Sequence, residues 1–301
     1  MKHLTLLWLL LPSMVVAQDY LKQFPLQRKT TYFEFHYKRH PERIADIARF
    51  ADAFVKIANR DFFKTDFDYP IRVLVLEDRA TFQDFLRREF RIKDPPGFGI
   101  YIPPPYKLFA TFEDSGLGTF AHEIMHPLVE RNLMDRPVWA MEAIPGFFEK
   151  FYGYWKDDEL MVTWGYHNPW RIDGLGTNLV RLDLKAILAN KQYQTHYNQS
   201  DLRMVVMFLW EQGKFNRFLR LIETKEKLGY KSYFEAAMEM PIDRVLPLWQ
   251  EYLKDVEARK RELILLPASA VTPNEQLFRP LKVVHGLRMP TLTTTGDSEL
   301  P

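Results

Sequence analysis

The 301-residue chain contains no cysteine. That absence excludes disulfides and removes thiolate from the donors open to a metal, leaving imidazole and carboxylate. No lipobox cysteine is present to carry a lipid anchor. An excess of one charge is missing too, with 41 lysines and arginines against 39 aspartates and glutamates. There is thus no electrostatic case for a nucleic-acid partner, and the scattered cations read as solvated surface. Past the N-terminus no stretch approaches the roughly 20 apolar residues of a membrane span, so no integral span is expected in the mature chain. No internal repeat is visible.

The N-terminus does carry an apolar run. Met1-Lys2-His3 is followed by a leucine-rich core, Pro12 and the small or branched residues up to Ala17. A basic end, a short apolar core and a small residue at the boundary read as a secretory signal over residues 1–17, cleaved after Ala17. The alternative is an uncleaved anchor, against which the core is short and interrupted by Pro12. The expected location is secreted or periplasmic, and export without disulfides fits a bacterial envelope.

With 47% hydrophobic and 15% aromatic residues, the mature chain can bury the core of one large domain or two intimate lobes. Thr30 to Tyr37 alternates as a strand does, Glu42 to Phe62 carries a helical apolar stripe through Ile44, Ile47, Ala51, Phe54, Val55 and Ala58, and Ile71 to Leu76 reads as a second strand. A short helix is expected around Thr81 to Arg88. A hairpin follows, with arms Phe98 to Ile102 and Lys107 to Phe112 turning through three prolines. Its second arm is expected to be the sheet edge, where an extended peptide could add as another strand. Beyond it, an aromatic-rich hairpin spans Phe151 to His167, and helical patterns run over Thr177–Asn190, Asp201–Glu211, Lys214–Lys227 and Ile242–Glu262. The aromatics of that hairpin pack a core or fill a substrate pocket. The last residues, 266–301, lose periodicity and read as a poorly structured tail.

Chemistry concentrates in His122-Glu123-Ile124-Met125-His126. Histidines four apart on a helix project from nearly the same side, roughly 6 Å apart along the axis, and can grip one metal ion. This is the H-E-x-x-H zinc peptidase pattern, in which a carboxylate that holds no metal takes the proton of an attacking water. Its surroundings read as a helix, with Asp114 or Ser115 as N-cap and Leu117, Phe120, Ala121, Ile124 and Leu128 as an apolar face. A catalytic zinc takes three protein ligands, so a third is needed. Fifteen residues separate His126 from Glu142, enough for the chain to turn and for a second helix to return to the metal. Glu149, seven residues on, shares a helical face with Glu142. One of the two completes the site, and the other is suited to accept the N–H of a metal-holding histidine.

The combination of H-E-x-x-H with Pro137-Val-Trp139-Ala-Met-Glu142-Ala-Ile-Pro145-Gly-Phe-Phe-Glu149 resembles the gluzincins, specifically the peptidase MA-like group of secreted and envelope zinc proteins. Two residues depart from the group's pattern: Ala143 and Pro145 follow the glutamate. Pro145 and Pro127 each remove a helical hydrogen-bond donor, and Pro145 would leave Glu142 at a helix cap if the second helix began at Ala143.

The resemblance implies an α+β, zincin-like fold, with a β-rich N-terminal lobe and its active-site helix over 18–135, then an all-helical lobe over 136–265. It implies one Zn²⁺ held by His122, His126 and Glu142, with Glu123 as the base in hydrolysis of a peptide, protein or cell-wall peptide. In gluzincins a Tyr or His from the helical lobe holds the oxyanion, which here points to Tyr197, with His196 second. The other reading, motivated by Pro127 and Pro145, is a zinc-bearing envelope protein that binds a protein or cell-wall partner without cleaving it.

Overall fold

The computed structural model describes residues 20–65, 67–133, 138–175, 179–189, 198–223 and 229–264. The expected signal at 1–17, the expected tail at 266–301, His196 and Tyr197 lie outside the described residues. Among those described, no helix is long and apolar enough to cross a membrane.

The architecture is α+β. Seven strands and ten α-helices occur in the described residues, and five of the strands form one mixed sheet in the order β1-β2-β3-β5-β4. β1 (Leu26–Lys29) is a polar, wholly exposed edge, antiparallel to β2 (Phe33–Tyr37). The helix α1 (Pro41–Asp61) crosses from β2 to β3 (Ile71–Leu76), so those two strands run parallel. The apolar stripe read from the sequence is the face that α1 buries: Ile44, Ile47, Ala51, Phe54, Val55 and Ala58 are all in the core. α2 (Arg79–Phe90) starts two residues earlier than its expected range, because Asp78 caps it by accepting the Thr81 N–H at 2.8 Å.

The three-proline hairpin joins β4 (Gly99–Ile102) to β5 (Leu108–Phe112). Its edge is the arm opposite to the one expected. β5 also pairs in parallel with β3, so β5 is internal and β4 is the edge. Burial explains the choice: every residue of β5 is buried, which a strand achieves with neighbours on both sides, whereas three of the four residues of β4 remain half-buried.

α3 (Leu117–Asn132) and α4 (Val138–Phe148) follow. Neither Asp114 nor Ser115 is the N-cap of α3. Gly116 takes that place at φ 93°, a backbone conformation that favours glycine. α3 is buried nearly all round, with His122, Glu123 and His126 inside along with Leu117, Phe120 and Ile124. Pro127 and Pro145 both sit within their helices, and since α4 begins at Val138, Glu142 lies inside it rather than at a cap.

Beyond α4, β6 (Tyr152–Lys156) and β7 (Glu159–Thr163) pair as the expected aromatic hairpin, a two-stranded sheet within an otherwise helical region. The helices there are α5 (Pro169–Asp173), α6 (Leu184–Ala189), α7 (Gln199–Glu211), α8 (Phe215–Ile222), α9 (Tyr230–Met238) and α10 (Ile242–Ile264). The stretch read as one helix from Thr177 holds a 3₁₀ turn at Leu179–Arg181 and then α6. The main core runs from Phe33 on the sheet, through α3 and α4, to Val256 on α10. A smaller core lies between the other face of the sheet and α2.

Candidate metal centre

Helical spacing does locally what the sequence suggests. His122 and His126 leave α3 on the same side, with ring centroids 5.0 Å apart. Their nitrogens and the Glu123 carboxylate lie within 4.8 Å of one another, and all three residues are buried, so the group could hold a metal ion. The donors are two imidazoles and carboxylate, a set suited to a borderline divalent ion.

Two close approaches bring the remaining elements onto α3. At Gly118 an added Cβ would sit 2.8 Å from the Glu149 carbonyl oxygen, so the end of α4 rests directly on the first turn of α3. At Gly99 it would meet Thr119 at 2.9 Å and the Glu123 side chain at 3.2 Å, so β4 lies directly over Glu123. That contact is polar as well as steric: the backbone of Tyr101 lies beside the Glu123 carboxylate and favours its charged form. The Tyr101 ring stacks on His126 at 5.8 Å, and its hydroxyl donates to Glu130 at 2.9 Å.

The two downstream carboxylates approach opposite edges of one imidazole. Glu142 Oε2 lies 3.5 Å from His122 Nε2, and Glu149 Oε1 lies 2.9 Å from His122 Nδ1. Each has its own support. Gln199, at the start of α7, donates to Glu142 Oε2 at 2.7 Å. One turn later Arg203 donates from Nε to the Gly146 carbonyl at 2.6 Å, so α7 grips α4 at two points a turn apart. Glu149 accepts from Asn168 at 3.0 Å and from Arg171 Nε at 2.8 Å, and a second Arg171 nitrogen reaches its other oxygen.

Burial and these neighbours set the charges. Burial opposes a charged His122, but the adjacent carboxylates of Glu142 and Glu149 prevail and raise its pKa to about 10. His126 is driven the other way, to about 3, by burial and by the His122 charge. Burial raises Glu123 to about 7. Glu149 also resists ionisation by burial, but Arg171 holds it well below the usual carboxylate range.

A consequence for metal uptake follows from the signs. Metals take neutral imidazole, which His126 already offers, while His122 must first lose its proton. Below about pH 10 one proton therefore leaves as the ion enters. Apparent metal affinity is expected to rise about tenfold per pH unit between roughly pH 7.5 and 9.5, then level off. Competition against a chromophoric chelator across that range measures the slope; a flat profile would mean that His122 carries no proton to displace.

A cavity of about 230 Å³ opens beside the cluster, lined by His122, Glu123, Glu149, Gly99, Trp170 and Gln199 among others. Of the aromatics expected to serve a core or a pocket, Phe151 is buried and Trp164 packs on Phe54 and Phe148. The cavity takes its aromatics from Phe98 and Trp170 instead. Sequence reading missed Gln199, Asn168, Arg171, Phe98 and Trp170. A local signal was the Asn198-x-x-Asp201 capping box, which marks where α7 begins and therefore where Gln199 stands.

No protein-family model matches the chain. No curated protein is significantly similar to it. The functional reading accordingly rests on the residues and their geometry.

Proposed function

We propose that the protein is a secreted or periplasmic zinc metallopeptidase of gluzincin type, with a zincin-like arrangement of sheet edge, α3 and α4. The observation that carries this reading is the placing of His122 between two carboxylates of different surroundings. Two atoms each about 2.0–2.1 Å from a tetrahedral ion lie roughly 3.3–3.4 Å apart. The 3.5 Å between His122 Nε2 and Glu142 Oε2 suits a pair of ligands of one ion. Glu149, on the other nitrogen, suits the carboxylate that fixes the ring's tautomer. His122, His126 and Glu142 then hold the ion.

Glu123 is left as the base, facing the cavity with the backbone of Tyr101 beside it. When bound, zinc supplies a Lewis acid that polarises a carbonyl and acidifies water. Glu123 accepts the proton of the attacking water and delivers it to the departing amine, so the peptide bond breaks with proton and leaving group accounted for. β4 presents the free edge along which an extended peptide could lie. Tyr197 remains the proposed holder of the oxyanion.

The test is joint measurement of metal content and peptide cleavage by the purified mature chain. About one zinc per chain is expected, with cleavage lost on chelation and recovered on adding zinc back. A chain that carries zinc yet cleaves no member of a diverse peptide library would instead be the non-hydrolytic envelope protein. A chain that takes up no zinc under any loading condition would end both readings.

A further inference from the structure

Four large hydrophobic side chains stay exposed among the described residues, and two of them, Phe98 at 37% and Trp170 at 51%, touch each other although 72 positions apart. Their rings meet nearly at right angles, 80°, with centroids 5.5 Å apart, and both line the cavity that His122 and Glu123 also line. An apolar surface left open in this way marks a contact site more often than scattered single residues do.

Trp170 is also braced. Its backbone N–H donates to the Asn168 side chain at 3.2 Å, and Asn168 in turn donates to Glu149 at 3.0 Å. Arg171, the next residue, forks onto the same carboxylate. The residues flanking the indole on both sides are thus tied to Glu149, which lies 2.9 Å from His122. The indole has a fixed place relative to the candidate metal centre, as a binding site needs of its aromatic anchor.

We propose that Phe98 and Trp170 form an apolar notch that receives one large apolar or aromatic side chain of a peptide, next to the bond to be cut. The proposal rests on the peptidase reading above and names its substrate class. Size and shape favour a side chain over a sugar. About 230 Å³ falls short of the roughly 300–1,000 Å³ that encloses a whole small ligand. Perpendicular rings make a corner rather than a flat stacking platform, and each ring already has a guanidinium over one face, Arg79 on Phe98 and Arg171 on Trp170.

The experiment uses zinc-loaded full chain and fluorogenic peptides that differ only by Phe or Ala, placed in turn on either side of the scissile bond. The wild-type chain is expected to prefer Phe by about tenfold or more in kcat/KM at one of the two positions. Trp170→Ala, and independently Phe98→Ala, should shrink that ratio to about twofold or less. A wild-type ratio near one at both positions, or an unchanged ratio in Trp170→Ala, overturns the notch. Should the zinc-loaded chain cleave none of these peptides, the hydrolytic reading is left to the diverse library, and calorimetric binding of the same uncleaved peptides decides the notch: tighter binding of a Phe peptide than of its Ala counterpart, lost in Trp170→Ala, upholds it, and equal binding overturns it.

Discussion

Replacing Glu123 with Gln is expected to leave the metal in place and lower kcat by roughly 10²–10⁴-fold, the span typical of a lost general base. The amide is nearly isosteric with the carboxylate, so the close approach of Gly99 to this side chain, and with it the contact of β4 and α3, should be kept. What disappears is the ability to take up a proton and release it. Burial lifts Glu123 to about 7, so that near neutral pH the carboxylate can do both. Metal content and steady-state cleavage, measured on one preparation, separate the outcomes. A variant that holds metal and cleaves at the wild-type rate would remove Glu123 from the chemistry. A variant that loses the metal would make Glu123 the third ligand, as its place in the compact His122–Glu123–His126 group also allows, and would displace Glu142 from that role.

That ambiguity has a physical origin in what a sequence can encode locally. The relation of His122 to His126 follows from helix periodicity alone, and it is present in the structure because α3 runs unbroken through both despite Pro127. The same holds for the buried stripe of α1 and for the strand Ile71–Leu76, whose bounds agree residue for residue. Glu142 and Glu149 were legible only as carboxylates within reach; which nitrogen of His122 each would face depends on how α4 settles on Gly118. Gln199 reaches Glu142 from 57 residues away, and Arg171 reaches Glu149 from 22. No periodicity connects such pairs. The misplaced sheet edge has a similar cause: hairpin chemistry fixes that β4 pairs with β5 but is silent on which arm joins β3. The short α9, with a glycine at its N-cap and no side-chain cap, gave no start signal to read.

Arg171→Ala is the stability counterpart, expected to cost about 3–5 kcal/mol, the range found when one partner of a buried ion pair is removed. Arg171 and Glu149 side chains are 13% and 4% exposed, so water cannot replace the lost cation. For a chain of this size that is a melting temperature lower by roughly 10 °C. Two further variants separate charge from geometry. Arg171→Lys keeps the charge but not the fork that reaches both Glu149 oxygens, and should recover only part of the loss. Arg171→Met combined with Glu149→Gln removes both charges and should be more stable than Arg171→Ala alone, because no buried carboxylate is left without its guanidinium. The sign of the pH dependence distinguishes this from lost packing. Glu149 is depressed in the fold, so its contribution is present above the unfolded carboxylate range, about 4.3, and is lost as pH falls below it. Without Arg171 that depression shrinks, so the gap between wild type and Arg171→Ala should be widest near neutral pH and narrow on acidification toward about pH 3. A gap under about 1 kcal/mol at neutral pH, or one that does not change with pH, would mean that the fork contributes little beyond an exposed pair, and that Trp170 and His122 owe their positions to packing alone.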